Sequence, residues 1–246
     1  VVKTLSFIEI NSLGFDIILS NAFHLMLRPG INVINCKTSL HNFINWKKCI
    51  LTDSGGYQIF SLNKNIIKHD GVKFQSPIDG KFIFMTPEKS INLQHYFRSD
   101  IIMCLDDCTK YPIDWKFSLK SVNLSLFWAK RCKNINNNIN NLFCIIQGGN
   151  YINHRLYSLN KLLNINFSGY AIGGLSVGEP KKNMIKILNS IVKYMPKLKP
   201  RYLMGVGTPL DIIDGVLSGV DIFDCVIPTR NARNGYLFTS SGIIRL

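Results

Sequence analysis

Short apolar runs that alternate with helical stretches are the feature that most restricts how this 246-residue chain can fold. Each run is followed by acidic, amide or glycine residues. Continuous apolar strands separated by helices are typical of a parallel sheet whose two faces are covered. The pattern therefore predicts an α/β fold. The apolar runs span residues 16–20, 49–52, 100–105, 142–146, 169–172, 201–204 and 221–223.

Seven strands of this kind are one fewer than a closed (β/α)8 TIM barrel contains. We predict an incomplete barrel that forms a single catalytic domain over residues 1–246, a length that suits one domain of this class. Because the first residue is Val rather than Met, the missing first strand is expected to precede this sequence. An open, doubly wound sheet is the alternative. Residues 235–246 are predicted to form a trailing hairpin.

Turn and cap residues predict the remaining elements. Residues 58–85 carry Asp-Gly turn signals at 70–71 and 79–80 between alternating runs, which indicates a β-hairpin insertion. Thr86 followed by Pro87 indicates the start of a helix. The other helices are expected at about residues 31–46, 114–133 and 181–194, and after Thr208.

The charge of the chain is strongly positive. It has 29 Lys and Arg against 15 Asp and Glu, a net charge of +14. An excess of this size favours a polyanionic partner such as RNA or DNA over a small acidic metabolite. The alternative is the Lys, Asn and Ile bias of an A+T-rich gene, which is visible in the run KNINNN at residues 133–138.

The cysteines and histidines point away from a disulfide or metal protein. The seven Cys contain no C-x-x-C pair, and the five His show no metal-ligand spacing. No apolar run is long enough to span a membrane, and no signal-peptide pattern is present. We therefore expect a cytoplasmic protein with no membrane association and with no metal or cofactor held by this chain.

Polar residues follow five of the predicted strands, namely Asp53, Asp106, Gln147, Gly174 and Asp224. The carboxyl ends of barrel strands converge on one face, where active sites lie. Two carboxylates there would suit a displacement at a sugar carbon, one as nucleophile and one handling protons. The alternatives are that each Asp caps the next helix, or that the pair at 106–107 binds a metal.

The sequence IFDCVIPTRNAR at residues 222–233 places one acid in an apolar run, close to two arginines. Since we expect Pro228 and the arginines, rather than a helix, to follow Asp224, helix capping is a weaker explanation for this acid. Arg230 and Arg233 are expected to be exposed and to hold a nucleic-acid backbone, because guanidinium groups suit phosphates. The alternative is a solvated loop.

Glycines and large side chains near the strand ends suggest a planar ligand. The run GYAIGGLSVG at residues 169–178 lacks the G-x-G-x-x-G spacing of a dinucleotide site. Its glycines would instead let a flat ligand approach the backbone. Tyr57 and Met204 could clamp a base between them; ordinary packing is the alternative.

Six motifs in order along the chain closely resemble the tRNA-guanine transglycosylases, the enzymes of queuosine synthesis. They are LTDSGGYQ at 51–58, LDDCT at 105–109, IQG at 146–148, YAIGGLSVGE at 170–179, YLMGVG at 202–207, and the stretch from 222 to 235. The resemblance implies a (β/α)8 barrel that exchanges guanine at wobble position 34 of tRNA for a 7-deazaguanine base through a covalent glycosyl-enzyme.

The resemblance also implies roles for individual residues. Asp224 matches the nucleophile and Asp53 the general acid/base. Residues expected to bind the base are Asp53, Ser54, Gly55, Gly56, Tyr57, Asp106, Cys108, Gln147, Gly173, Gly174, Leu175 and Met204. Residues expected to contact the anticodon RNA are Gly205, Val206, Gly207, Thr208, Pro209, Leu210, Asp211, Thr229, Arg230, Asn231, Ala232 and Arg233.

Cys108 and Val177 look like the bacterial versions of pocket residues, which favours preQ1 over queuine as the incoming base. The expected partners are thus tRNA, preQ1 and a second copy in a homodimer. Relative to the family pattern, the first barrel strand and the C-terminal subdomain with its one structural zinc ion are missing. A non-catalytic tRNA-binding paralogue, or an inactive fragment of such an enzyme, is the alternative function.

Overall fold

The structure, a computed structural model, describes residues 4–62, 64–137 and 141–246. The strands are β1 (Ile17–Asn21), β2 (Cys49–Asp53), β3 (Asn65–Lys68), β4 (Gly71–Gln75), β5 (Phe82–Met85), β6 (Ile101–Met103), β7 (Asn141–Ile146), β8 (Gly169–Ile172), β9 (Arg201–Leu203), β10 (Ile222–Phe223), β11 (Tyr236–Thr239) and β12 (Gly242–Arg245). The α-helices are α1 (Phe7–Ser12), α2 (Ala22–Leu27), α3 (Ile31–Asn35), α4 (Leu40–Ile44), α5 (Gly56–Phe60), α6 (Pro87–Phe97), α7 (Trp115–Asn136), α8 (Ile152–Ile165), α9 (Lys181–Ile191), α10 (Pro209–Leu217) and α11 (Ile227–Ala232), with a 3-10 turn at Val192–Tyr194.

Seven parallel strands form the central sheet, in the order β1-β2-β6-β7-β8-β9-β10. They are the seven strands predicted from the apolar runs. The sheet is curled and carries helices in the manner of an incomplete (β/α) barrel, which confirms the predicted fold class. Within the described residues the sheet has two edges, β1 and β10.

Alternating residues of the strands pack into two separate hydrophobic cores, one on each face of the sheet. On the outer face, side chains such as Ile50, Ile102 and Leu203 join a large cluster with the helices. We call the other side the inner face. A smaller cluster fills it: Leu51, Ile101, Met103, Phe143, Ile145, Ala171 and Tyr202. A parallel sheet buried on both faces accounts for the continuous apolar runs in the sequence.

A buried glutamine joins helix α6 to the sheet. The Gln94 side chain accepts hydrogen bonds from the Thr52 hydroxyl at 3.1 Å and the Met103 N–H at 2.8 Å. It also donates to the Met103 carbonyl at 2.9 Å. Helix α6 begins as predicted, with Thr86 capping the N–H of Lys89 and proline in the first turn.

Three predicted elements differ in the structure. The helix expected over 31–46 is two helices, α3 and α4, because Thr38 has a φ of +70° and Ser39 caps a new helix that begins at Leu40, accepting from the Asn42 N–H. The insertion at 58–85 contains the predicted hairpin, formed by β4 and β5, and adds helix α5 and a third antiparallel strand, β3, which pairs with β4. The trailing hairpin over 235–246 is confirmed as β11 and β12.

The third difference follows Asp224. Helix α11 comes after this residue, where the sequence suggested none. Pro228 does not prevent it, because proline is tolerated in the first turn, where its missing N–H has no helical partner.

Candidate active site

Strand parity brings the predicted acids to the inner face. Side chains two residues apart on a strand point the same way. Leu51 lies on the inner face, and so does Asp53 after it; Ile222 likewise precedes Asp224. Gln147 continues the inner-face positions of Phe143 and Ile145 on β7.

The Asp53 carboxyl is buried and lies close to two other acids. Asp53 is only 8% exposed, and the Asn21 side-chain amide donates to its Oδ2 at 3.2 Å. Burial, and then the negative charges of Asp106 and Asp224, raise the pKa of Asp53 to about 7, although the N–H groups of Ser54 and Gly55 oppose the shift. This carboxyl can therefore both donate and accept a proton near neutral pH.

Asp106 and Gln147 form a polar pair beside Asp53. The Gln147 Nε2 donates to Asp106 Oδ2 at 2.6 Å. Burial raises the pKa of Asp106 to about 6, and the Gln147 hydrogen bond opposes the shift. The backbone approaches closely here, since a Cβ on Gly56 would lie 2.9 Å from Asp106 Oδ1. The pair thus offers both a carboxylate and an amide to a ligand.

Asp224 is half-buried, and one of its oxygens is held by two donors. The Tyr202 hydroxyl donates to Oδ1 at 2.6 Å and the Gly205 N–H at 2.7 Å. Burial, and then the charge of Asp224, raise the pKa of Tyr202 well above its ordinary value, so its hydroxyl remains a donor. Within the described parts of the chain, Oδ2 has no protein donor.

Helix capping does not account for these acids. Helix α11 begins after Val226, and no side chain caps it. Gly55 precedes α5, again without a side-chain cap. No group of three His, Cys, Asp or Glu that could hold a metal ion is found among the residues described.

The other predicted base-binding residues surround this set. Gly174 has a φ of +61°, and a Cβ there would lie 2.5 Å from Gln147 Oε1, so only glycine fits. Tyr57 is 52% exposed in the first turn of α5, and Met204 packs against the inner-face cluster. Ser54, Leu175 and Cys108 are buried. A cavity of about 710 Å³ is lined by Asp107 and Cys108 together with residues of the insertion and of α7.

The two predicted RNA-contacting segments lie next to Asp224. Arg230 and Arg233 are exposed on and just after α11, as predicted. Asp211, also predicted to contact RNA, has its carboxylate engaged within the protein: Lys181 lies 3.0 Å from Oδ1, and the Thr208 hydroxyl donates to Oδ2 at 2.5 Å. Its interaction with RNA stays a prediction.

Comparison with known proteins assigns the family. A family model described as queuine tRNA-ribosyltransferase matches residues 1–246. The chain belongs to the queuine tRNA-ribosyltransferase family. The resemblance seen in the six motifs is thereby confirmed, and with it the expected class of enzyme.

Curated relatives agree with this assignment. A queuine tRNA-ribosyltransferase of Blochmanniella pennsylvanica is 56% identical over 249 residues, covering 100% of this chain and 68% of the relative. One from Acinetobacter baumannii (strain ACICU) is 56% identical over 97% of this chain and 64% of its own length. One from Francisella tularensis subsp. novicida is 54% identical over 100% and 67%. This chain thus spans about two thirds of the length of these ribosyltransferases.

Two further expectations concern the whole family member. The residues present in the described parts do not form a zinc site, so the structural zinc stays a prediction about residues outside this sequence. None of the described helices has the length and apolar character needed to cross a bilayer. The cytoplasmic location stays a prediction.

Sequence reasoning missed three polar side chains that form hydrogen bonds to the predicted site residues: Asn21, Tyr202 and Arg155. The parity of β9 would have placed Tyr202 on the inner face with Asp224. Asn21 follows Leu19 at the end of β1 in the same way, and β1 pairs with β2 so that Asn21 faces Asp53. Arg155 lies on a helix and has no local signal.

Proposed function

We propose that this protein is a tRNA-guanine transglycosylase that replaces guanine 34 of tRNA with preQ1 through a covalent glycosyl-enzyme. The observation that carries the proposal is the arrangement of two carboxyls. One Asp224 oxygen is held by Tyr202 and Gly205, and among the described residues no donor meets the other. Burial raises the pKa of Asp53 to about 7, and Asp53 is close enough to Asp106 and Asp224 for their charges to add to that shift.

In the first half of the reaction, Asp224 Oδ2 attacks C1′ of the wobble ribose. An ester-like C1′–O bond forms as the C1′–N9 bond breaks, and the bonding electrons leave with guanine. Protonated Asp53 supplies the proton that neutralises the departing base, and so becomes a carboxylate. This division of labour between two acids is the one that retaining displacements use.

In the second half, the carboxylate of Asp53 accepts a proton from the incoming base. The nitrogen of that base attacks C1′, the C1′–O bond breaks, and Asp224 is released as a carboxylate. The atoms and charges balance without an external energy source, because one glycosidic bond replaces another. A pKa near 7 suits a group that is acid in one half and base in the other.

Base recognition is assigned to the polar pair and the glycine loop. Asp106 and Gln147 face the edge of the purine that carries N–H donors, since a carboxylate accepts from such groups. Gly173, Gly174 and Leu175 present backbone groups to the same edge. Tyr57 and Met204 stack on the two faces of the ring.

The test is base exchange by the intact protein. With unmodified tRNA and labelled guanine, we expect label to enter tRNA at position 34, and preQ1 to displace it irreversibly. Asp224→Asn should lose exchange by at least about a thousandfold, whereas Asp16→Asn, at a side chain 85% exposed, should not. Binding of tRNA with no exchange by wild type would instead support the non-catalytic paralogue.

The choice of incoming base is tested separately. Cys108 is buried and Val177 is half-buried beside the glycine loop, which supports the smaller preQ1 over queuine. We expect incorporation of preQ1 and little of queuine. Equal incorporation would overturn this part and leave the transglycosylase assignment intact. A homodimer is proposed from the resemblance alone, and sedimentation of the intact protein tests it.

A further inference from the structure

Arg155 is a buried arginine on α8 that the proposed mechanism does not use. It is 0% exposed, yet in the described residues it forms no ion pair within 4.0 Å. Its guanidinium donates to four backbone carbonyls instead: Gly149 at 2.7 Å, Ile146 at 3.2 Å, Gly173 at 3.0 Å and Gly174 at 3.2 Å. It thus joins the carboxyl end of β7 to the carboxyl end of β8.

Burying this charge is costly unless the protein gains from it. Burial lowers the pKa of Arg155 to about 10, so the group remains charged at neutral pH, and the charge of Glu179 opposes the shift. Arginine suits the position because its planar fork carries five donors in fixed directions. All four carbonyls that accept from Arg155 lie at or just after the carboxyl ends of β7 and β8, next to the Asp106–Gln147 pair.

The direction of these carbonyls fixes the direction of the neighbouring N–H groups. In a trans peptide the C=O and N–H bonds point to opposite sides. Because the carbonyls of Gly173 and Gly174 point to Arg155 on α8, the N–H groups of Gly174 and Leu175 point away from that helix. In the described part of the chain neither N–H has a protein acceptor.

The next two N–H groups of the loop are occupied. Those of Ser176 and Val177 donate to the carboxylate of Glu179 at 2.5 Å and 3.0 Å. Gln147 lies against the glycines, since a Cβ on Gly173 would be 2.9 Å from its Nε2. The donors left over are therefore those of Gly174 and Leu175, next to the pair that is expected to read the base.

We propose that Arg155 is a positioning residue that fixes the Gly174 and Leu175 N–H groups as donors to the ring carbonyl oxygen of the bound base. It would thereby set the preference for an oxopurine over a purine without that oxygen. This inference rests on the proposed function. A donor that meets no acceptor in a buried site rejects the wrong ligand strongly.

The test compares guanine with 2-aminopurine, which lacks the oxygen and also the N1 proton, so the change in preference when Arg155 is replaced is the measurement that reports on the oxygen. The intact wild-type protein should bind guanine at least about tenfold more tightly. Arg155→Lys should weaken guanine binding by about tenfold, leave 2-aminopurine within about twofold, and leave the KM for tRNA unchanged. The control is Arg201→Lys, because Arg201 also donates to two backbone carbonyls, of Pro196 and Gly219, but outside the site. It should keep the guanine preference.

An unchanged guanine preference in folded Arg155→Lys, or an equal loss for both bases, would overturn the inference. If that variant does not fold, amide hydrogen exchange of the wild type decides. Guanine should slow exchange at Gly174 and Leu175, and 2-aminopurine should not; no effect of guanine would refute the proposal. Label exchange into tRNA is followed in parallel, so that a wild type that prefers guanine but performs no exchange overturns the proposed function alone.

Discussion

The residues around the Asp53 carboxyl shift its pKa in the direction that the two roles proposed for it require. Burial and the charges of two other acids make its ionised form costly, while the N–H groups of Ser54 and Gly55 keep that form accessible. The amide of Asn21 holds one oxygen in place. An environment of this kind costs stability, because the folded state must tolerate several acids close together.

Replacing Asp53 should therefore stabilise the protein above neutrality. Its pKa is raised from 3.8 to about 7 on folding, so the unfolded chain binds fewer protons between these values. Stability present below pH 4 is lost as pH rises toward 7. We expect Asp53→Asn to raise the free energy of unfolding by on the order of 4 kcal/mol at pH 8 and little at pH 4.

Urea unfolding at both pH values measures this, with Asp16→Asn as control. The same stabilisation of Asp53→Asn at pH 4 as at pH 8 would contradict the electrostatic cause. Exchange activity should be lost in Asp53→Asn at either pH.

Tyr202 should matter for rate and little for binding. Its hydroxyl donates to Oδ1 of Asp224 at 2.6 Å, which directs the other oxygen of this proposed nucleophile. We expect Tyr202→Phe to slow formation of the covalent intermediate about tenfold in single-turnover experiments, with an unchanged KM for tRNA. Tyr170→Phe is the matched control, because Tyr170 is equally buried in β8 but its hydroxyl accepts from Phe167 outside the site. Equal effects of the two changes would contradict a role for Tyr202 in positioning.

At the scale of elements, the central sheet sets the geometry of the site by the register of its strands. Asn21 pairs with Asp53 because β1 and β2 are in parallel register over five residues. On the outer face, Gln94 of α6 bonds to Thr52 of β2 and to both backbone groups of Met103, the last residue of β6. Asp53, one residue after Thr52, is thus linked to α6 through the Thr52 hydroxyl.

Removing the hydrogen bonds of the Gln94 side chain should lower the free energy of unfolding more than a change on the protein surface does. Gln94→Leu leaves the backbone N–H and C=O of Met103 without their partner in the core. We expect it to lower the free energy of unfolding by about 2–4 kcal/mol. Asn92→Leu on the exposed side of the same helix should change it by less than about 0.5 kcal/mol. Similar urea midpoints for the two variants would show that Gln94 is not a structural link.

The strands and the acids at their ends could be predicted because both depend on local patterns. Apolar runs mark buried parallel strands, and polar residues after them mark the sheet edge. The hydrogen-bond partners of the site residues could not be predicted, because they are distant in sequence. Tyr202 and Asp224 are 22 positions apart, and Arg155 and Gly174 are 19 positions apart. The break between α3 and α4 at Thr38 could not be predicted either, because a residue other than glycine rarely adopts positive φ.

At the scale of the whole molecule, a net charge of +14 accompanies a site whose own groups are largely acidic. Three carboxyls, Asp53, Asp106 and Asp224, lie at the inner face. Arg230 and Arg233 are exposed beside Asp224. A polyanionic substrate would be held by the surrounding cations and would bring only its ribose and base to the acids.

If surface Lys and Arg side chains hold the tRNA phosphates, the affinity for tRNA should fall steeply as the salt concentration rises. The logarithm of the association constant should fall linearly with the logarithm of salt concentration. Changing both Arg230 and Arg233 to Gln should reduce the magnitude of the slope by about 1.4. Lys130 and Lys161 are exposed near the opposite end of the sheet, and changing both to Gln should leave the slope nearly unchanged. A slope near zero for wild type would show that the charge is only a compositional bias.

The central claim is that Asp224 forms a covalent bond to the wobble ribose. The intact protein would be incubated with tRNA and 9-deazaguanine, which carries carbon in place of the attacking N9 and cannot complete the exchange. Digestion and mass spectrometry would locate the attached nucleotide. We predict an adduct on the peptide that contains Asp224, absent in Asp224→Asn and formed more slowly in Tyr202→Phe. An adduct on another residue, or one of full yield in Asp224→Asn, would contradict the account.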